Sequence, residues 1–172
     1  MIIWLVGLSG AGKTTIASEM YKQWKLRDSG TVLVDGDQVR EIFQHDKSFE
    51  SYSVAGRRIN AERIVQLSCW LDQQSINVVA SILCIFPDIL LKNRTRFSSY
   101  IEVFVDVPMD QLVARDSKGL YAPALEGKIE NVVGIDIPFP RPESPDIVLD
   151  NSNQHNDPKG HANYILKHTG IF

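Results

Sequence analysis

The sequence predicts an α/β fold, a parallel β-sheet flanked by helices on both faces. Three observations predict it. Short apolar runs alternate with longer amphipathic stretches along the 172 residues, the pattern of strands feeding crossover helices. The first run passes directly into a glycine-rich loop and then into a helical pattern. No internal repeat, low-complexity tract or linker breaks the alternation, so one domain spanning residues 1–172 is expected.

The predicted strands are IIWLV (2–6), TVLVD (31–35), NVVASILC (77–84), YIEVFVD (100–106) and PDIVLD (145–150). Helical periodicity runs from about Lys13 to Leu26, Gln38 to Phe43, Val54 to Gln74, Ile89 to Phe97, Met109 to Arg115 and His161 to His168. The segment from Asp116 to Glu143 fits neither period and is rich in Gly and Pro. A mobile lid between the fourth and fifth strands is the expectation there. Within and beyond its end, DIPFPRPESPD (136–146) reads as an ordered surface crossing. Ligands on such sheets gather at the C-terminal edge of the strands.

Composition narrows the function classes. A content of 44% hydrophobic and 23% charged residues is that of an ordinary globular protein. The net charge of -3 argues against a nucleic-acid-binding surface, so phosphate recognition should be local. Only Cys69 and Cys84 are present, with no CxxC, no signal peptide and no long apolar run. A reduced, cytoplasmic protein without a disulfide, a zinc site or a membrane segment is therefore expected. His45, His155, His161 and His168 lack metal-ligand spacing, although the last two can share a helix face.

The loop GLSGAGKT, residues 7–14, satisfies G-x-x-x-x-G-K-[ST] with a strand before it and a helix after it. Gly7, Ser9, Gly10, Ala11, Gly12, Lys13, Thr14 and Thr15 are thus expected to hold a nucleoside triphosphate. The backbone N–H groups would face phosphate oxygens, Lys13 would reach the β and γ phosphates, and Thr14 would hold Mg2+. The same loop serves switches, motors and kinases, so the rest of the chain must decide. An N-K-x-D base-reading motif is absent, and DSKG (116–119) falls too late to be a switch loop. A kinase needs an acceptor pocket and a lid that excludes water.

VDGDQVR (34–40) offers the acceptor side. Asp35 and Asp37 could organise a metal-bound water or take the acceptor hydroxyl's proton, and Arg40 could hold an anionic group. Asp-Gly-Asp is equally a turn with a helix N-cap, and its position at a strand end tips the reading toward function. RRINAER (57–63) sets Arg57, Asn60 and Arg63 on one side of a helix, able to grip phosphate and ribose. Spacing alone favours a solvated face with Arg58 and Glu62 paired at i, i+4.

Taken together, the loop, the Asp-Gly-Asp turn, the Arg/Asn helix, RDSKGLY (115–121) and GID (134–136) resemble the adenylylsulfate kinase family from Trp4 to about Pro145. The resemblance implies a nucleoside-monophosphate-kinase-like P-loop fold, and transfer from MgATP to the ribose 3'-hydroxyl of adenosine 5'-phosphosulfate. It implies Lys13 and Thr14 at ATP and magnesium, with Asp35 holding Mg2+ through water. It places Asp37 at the 3'-hydroxyl, and Arg40, Arg57 and Asn60 at the acceptor nucleotide. Phe49 resembles the shelf for the acceptor base and Lys118 the lid lysine, while Arg115 is expected near the ATP adenine or as a second lid cation.

Where this chain has VVGID the family usually has Phe-Thr-Gly-Ile-Asp, so Val132, beside Gly134, stands where a second aromatic would close over a purine. In CIFP, Cys84 takes a serine position beside Ile85, and Pro87 stands where arginine is common; beyond KGLY come Ala122, Pro123 and Leu125 in place of basic residues. These departures fall on the acceptor side, so a base other than adenine is expected. The acceptor ranked first is cytidine diphosphoramidate, used in capsular-polysaccharide modification by a divergent branch of the family; adenylylsulfate ranks second. A nucleotide-binding regulator without transfer is the reading from another class, and Lys13, Thr14, Asp37 and Lys118 count against it. The expected partner is a small-molecule nucleotide, with no nucleic acid and no membrane. A homodimer is possible, but the first strand begins at about Ile2 without the family's N-terminal helical extension, which tells against a dimer contact through that extension.

Overall fold

The computed structural model describes residues 1–152 and 157–171, so His155 lies outside the described residues. Five strands form one parallel sheet: β1 (Ile2–Val6), β2 (Thr31–Asp35), β3 (Asn77–Ile82), β4 (Tyr100–Asp106) and β5 (Ile147–Asp150). Their order is β2-β3-β1-β4-β5, with Ile3 in register with Val79 on one side and Ile101 on the other. Every residue of central β1 is 0% exposed, which is why this strand needs no polar alternation. Ile2, Trp4 and Val6 pack with Ile64, Val78 and Phe97 on one face of the sheet. Ile3 and Leu5 pack with Ile16, Met20 and Ile165 on the other.

The helices are α1 (Lys13–Lys25), α2 (Gly36–Ile42), α3 (Val54–Asp72), α4 (Pro87–Arg96), α5 (Met109–Arg115), α6 (Tyr121–Leu125) and α7 (Pro158–His168). α2 starts before the expected Gln38 because Asp35 caps it, its Oδ1 accepting from the N–H of Asp37 at 2.9 Å and of Gln38 at 3.4 Å. Asp-Gly-Asp is therefore both cap and first turn. α4 and α7 likewise start earlier than expected, each on a proline whose fixed φ suits a first turn. Asp157 caps α7 by accepting from the N–H of Gly160 at 2.8 Å.

Two short elements escape periodicity. A 3-10 turn covers Phe49–Tyr52, and α6 lies inside the segment expected to have no regular structure. The Asp116 carboxylate nucleates α6, accepting from the N–H groups of Leu120, Tyr121 and Ala122 at 2.8, 3.0 and 3.0 Å. Arg58 also departs from its expected pairing with Glu62. It forms a bidentate pair with Asp88 of α4, at 2.9 and 3.0 Å, because the α4 N-terminus packs within its reach. His161 and His168 share α7, and the His168 ring lies against Tyr164 with centroids 4.2 Å apart. Residues 138–146 cross the surface without regular structure, tied down by Arg141 on Asp106 and by Arg94 on Asp146. Among the described residues no helix is long and apolar enough to cross a membrane.

Candidate active site

Strand order reverses at β1, and the loop that follows β1 opens above this switch, where α/β sheets leave a crevice. Gly12 caps α1 with φ +95°, and a Cβ there would lie 2.5 Å from the side-chain nitrogen of Asn151, so only glycine fits. No acidic residue sits in the first turn of α1. Its free N–H groups and positive dipole end are left for an anion.

Lys13 is 9% exposed, and its Nζ donates to the Leu8 carbonyl at 2.7 Å. Burial, helped by the nearby Lys118, pushes its pKa down to about 8 against the opposing pull of Asp37 and Asp35. Thr14 Oγ1 donates to Asp35 Oδ2 at 2.7 Å and lies 3.4 Å from Ser81 Oγ. Hydroxyl and carboxylate oxygens at the ends of β2, β3 and the loop thus converge, the donor type that Mg2+ takes. Among the described residues no cluster of His, Cys, Asp and Glu forms a metal cage.

Across the crevice, Lys118 Nζ donates to Asp37 Oδ2 at 2.7 Å. Burial alone would raise the Asp37 carboxyl. The hydrogen bond and charge of Lys118, with Lys13 and Arg40 behind them, outweigh it and hold the group below the usual carboxylate range. Arg40 is buried, donates from Nη1 to the Ser51 carbonyl, and lies with its guanidinium 4.7 Å from the Tyr52 ring centre. Burial lowers its pKa, as it does for Arg57. The Arg40 Nε and the Asn60 Oδ1 are buried without hydrogen-bond partners, so this corner retains unspent polar capacity. Arg57 is largely committed to the fold, donating from Nε to Tyr52 O and from Nη2 to Asn131 O, both at 2.8 Å. It joins the 3-10 turn to the loop that carries Val132.

These groups line one cavity of about 1160 Å3, larger than the ~300–1,000 Å3 of pockets for a single small ligand. Two nucleotides have room in it. The structure brings Ser9, Gly10, Gly12, Lys13, Thr14 and Thr15 to this wall together with Asp35, Asp37, Lys118 and Arg115. Arg40, Phe49, Arg57, Asn60 and Val132 line it too, Phe49 with 59% of its surface exposed.

Six expected residues do not reach the wall. Gly7 and Ala11 are buried beneath the loop, Gly7 so close to β4 that a Cβ would lie 2.5 Å from Val105 O. Gly134 is wedged against Met109 and Leu8. Cys84 and Ile85 pack into the core at 1% and 8% exposure. The reason is that β3 ends at Ile82, so Ile82 and Leu83 face the cavity before the chain turns inward. Burial pushes the Cys84 thiol up to about 12, so it is no nucleophile. Arg63, on the same side of α3 as Arg57, lays its guanidinium 4.8 Å from the Phe43 ring centre and does not line the cavity.

The wall also holds Ser81, Tyr52, Glu130, Asn131 and Asn151, none picked out from sequence. Ser81 and Asn151 stand at or just past the C-terminal ends of β3 and β5, where the strand-edge rule could have found them.

Comparison with known proteins agrees with this geometry. Residues 1–150 match the family described as adenylylsulphate kinase. A cytidine diphosphoramidate kinase of Campylobacter jejuni is 39% identical over 155 residues, covering 90% of this chain and 88% of that one. An adenylyl-sulfate kinase of Burkholderia ambifaria is 37% identical over 148 residues, covering 85% and 80%. Among solved structures, the Mycobacterium tuberculosis APS kinase in complex with AMPPNP and APS superposes with a TM-score of 0.83 at 28% identity, covering 98% of this chain and 96% of that one. Shikimate kinase of Aquifex aeolicus shares the fold at a TM-score of 0.59 and 16% identity, over 99% and 97% of the chains. A phosphate loop and a facing carboxylate in one crevice, on a chain matched by that family along most of its length, have one meaning: this protein belongs to the adenylylsulfate kinase family of ATP-using nucleotide 3'-kinases.

Proposed function

We propose that this kinase transfers the γ-phosphoryl group of MgATP to the ribose 3'-hydroxyl of cytidine diphosphoramidate. The observation that carries the reading is Val132, a buried aliphatic residue on the cavity wall that also bears Phe49. One aromatic shelf with an aliphatic counterpart suits a single-ring base better than a purine that a second ring would sandwich. The likeness to the Campylobacter jejuni enzyme supports the same acceptor. Adenylylsulfate is the second reading, supported by relatives of nearly equal similarity.

In the proposed mechanism the 3'-hydroxyl oxygen attacks the γ-phosphorus while the bond to the β,γ-bridging oxygen breaks and ADP departs. Asp37 accepts the hydroxyl proton. Its depressed pKa reflects Lys118, so the lysine must leave for the phosphates before the carboxylate becomes an effective base. Lys118 then brings positive charge to the transferring group, and Lys13 does so from the loop side. Thr14 and Asp35, with Ser81 beside them, would hold Mg2+. When bound, the ion neutralises phosphate charge. Arg40 and Asn60, with their unspent polar atoms, bind the acceptor's anionic and ribose groups. The segment 116–143 acts as the lid, since it carries Lys118 and borders the cavity through Ile129 and Val132.

The test measures ADP release, with mass detection of product, from MgATP plus either acceptor in parallel at matched concentrations. Faster turnover of cytidine diphosphoramidate is expected. A clear preference for adenylylsulfate would overturn the acceptor assignment and leave the kinase chemistry standing.

A further inference from the structure

Tyr121 and Asn151 have no place in the mechanism above, yet each donates to a carbonyl of the phosphate loop. Tyr121 Oη donates to the Ser9 carbonyl at 2.8 Å, and Asn151 Nδ2 donates to the Ala11 carbonyl at 2.8 Å. A trans peptide is planar, so a carbonyl held on one side commits the next N–H to the other. The N–H groups so committed belong to Gly10 and Gly12, both on the cavity wall. Left unheld, a loop this rich in glycine samples many conformations in which those amides no longer converge.

Both donors are themselves fixed. Tyr121 is 2% exposed and Asn151 3% exposed. Asn151 donates its backbone N–H to Asp106 O at 3.0 Å, and its carbonyl accepts from both terminal nitrogens of Arg115 at 3.2 Å. Tyr121 opens α6, whose first amides are held by Asp116. Burial, with the nearby Asp116 charge, pushes the Tyr121 phenol up to about 12, so it remains a donor throughout the working pH range. The two contacts tie the loop to the end of β5 on one side and to the segment carrying Lys118 on the other.

We propose that Tyr121 and Asn151 are positioning residues for the donor nucleotide, holding the outward carbonyls of the phosphate loop so that its amides are aimed before ATP arrives. The inference rests on the loop being the ATP site and is independent of which acceptor is used. Preorganised donors cost no rearrangement on binding, so their loss falls on ATP affinity.

The experiment is calorimetric titration of the full chain with MgATP alone, followed by KM measurement for both substrates. Removing one hydroxyl with Tyr121→Phe weakens MgATP binding about fivefold, the worth of one such hydrogen bond, and leaves the acceptor KM unchanged. Asn151→Asp turns an acceptor toward the Ala11 carbonyl and weakens MgATP binding more than Asn151→Ala, which only removes the donor. Unchanged MgATP affinity in Tyr121→Phe, unchanged affinity in Asn151→Ala, or an acceptor KM that rises as much as the ATP KM would each overturn the proposal. If Asn151→Asp fails to fold, Tyr121→Phe alone decides it. A wild-type chain that does not bind MgATP overturns the donor-site reading itself, which is a separate result.

Discussion

Gly56 lies in the first turn of α3 and touches neither substrate in the proposed mechanism, yet replacing it with alanine should disable the acceptor side. A Cβ at Gly56 would sit 2.4 Å from Glu50 O and 2.6 Å from Ser51 O. Carbon and oxygen in ordinary contact are over 3 Å apart, so the Phe49–Tyr52 turn must retreat by roughly 1 Å. That turn carries Phe49, the Ser51 carbonyl that accepts from Arg40, and the Tyr52 ring beside that guanidinium. Glycine to alanine inside a helix gains about 1 kcal/mol of propensity, so a net loss isolates the clash. Overpacking costs about 1–3 kcal/mol, a net loss of up to about 2 kcal/mol after the propensity gain, which for a chain of 172 residues lowers Tm by up to about 8 °C. The acceptor KM should rise about tenfold or more while MgATP affinity stays within about twofold, since displacement of a positioning element by ~1 Å can cost ~100-fold. Steady-state kinetics with each substrate varied in turn, beside a calorimetric MgATP titration, reads the split. An unchanged acceptor KM with a lowered Tm would refute the assignment of this turn to the acceptor wall.

Asp37→Asn should lower kcat by about 100- to 10,000-fold with little change in MgATP affinity, and full turnover would remove Asp37 from the proton-accepting role. Val132→Phe should shift the ratio of kcat/KM toward an adenine-bearing acceptor by about fivefold, the worth of one stacking contact, with some loss of Tm from crowding; an unchanged ratio would dissociate this wall from base choice. The pKa of Lys13, held down to about 8 by burial, gives a pH signature. Triphosphate charge favours the ammonium form, so MgATP binding takes up a proton near and above pH 8, and affinity falls as pH rises from 7 to 9. Calorimetry in buffers of different ionisation enthalpy measures that uptake, and Lys13→Arg should abolish it.

The parts of this protein legible in the sequence are those whose physics is local. GLSGAGKT announces a phosphate loop because glycine spacing, a strand and a helix start are all contained in a few consecutive residues. The parallel sheet was legible because a strand covered on both faces, such as β1, must be apolar throughout. Asp35 could be read as a cap or as a site residue, and it is placed to be both, capping α2 through Oδ1 while Oδ2 faces Thr14.

Tertiary structure alone decided the rest. Where β3 ends is set by its pairing with β1 and β2, and this puts Ile82 and Leu83 on the cavity wall and Cys84 and Ile85 in the core. α6 and the 3-10 turn are too short for any period to reveal, being held by Asp116 and by packing on α3. Arg58 chose Asp88 over the neighbour four residues on because another helix end came within reach. Tyr121 and Asn151 meet the loop across more than a hundred residues of sequence, through hydrogen bonds that exist only once the sheet has brought β5 and the chain after α5 beside β1. Residue type and spacing determined what chemistry this chain carries; which atoms face it was determined by where distant segments come to rest, because a buried donor finds its acceptor in space and leaves no pattern along the chain.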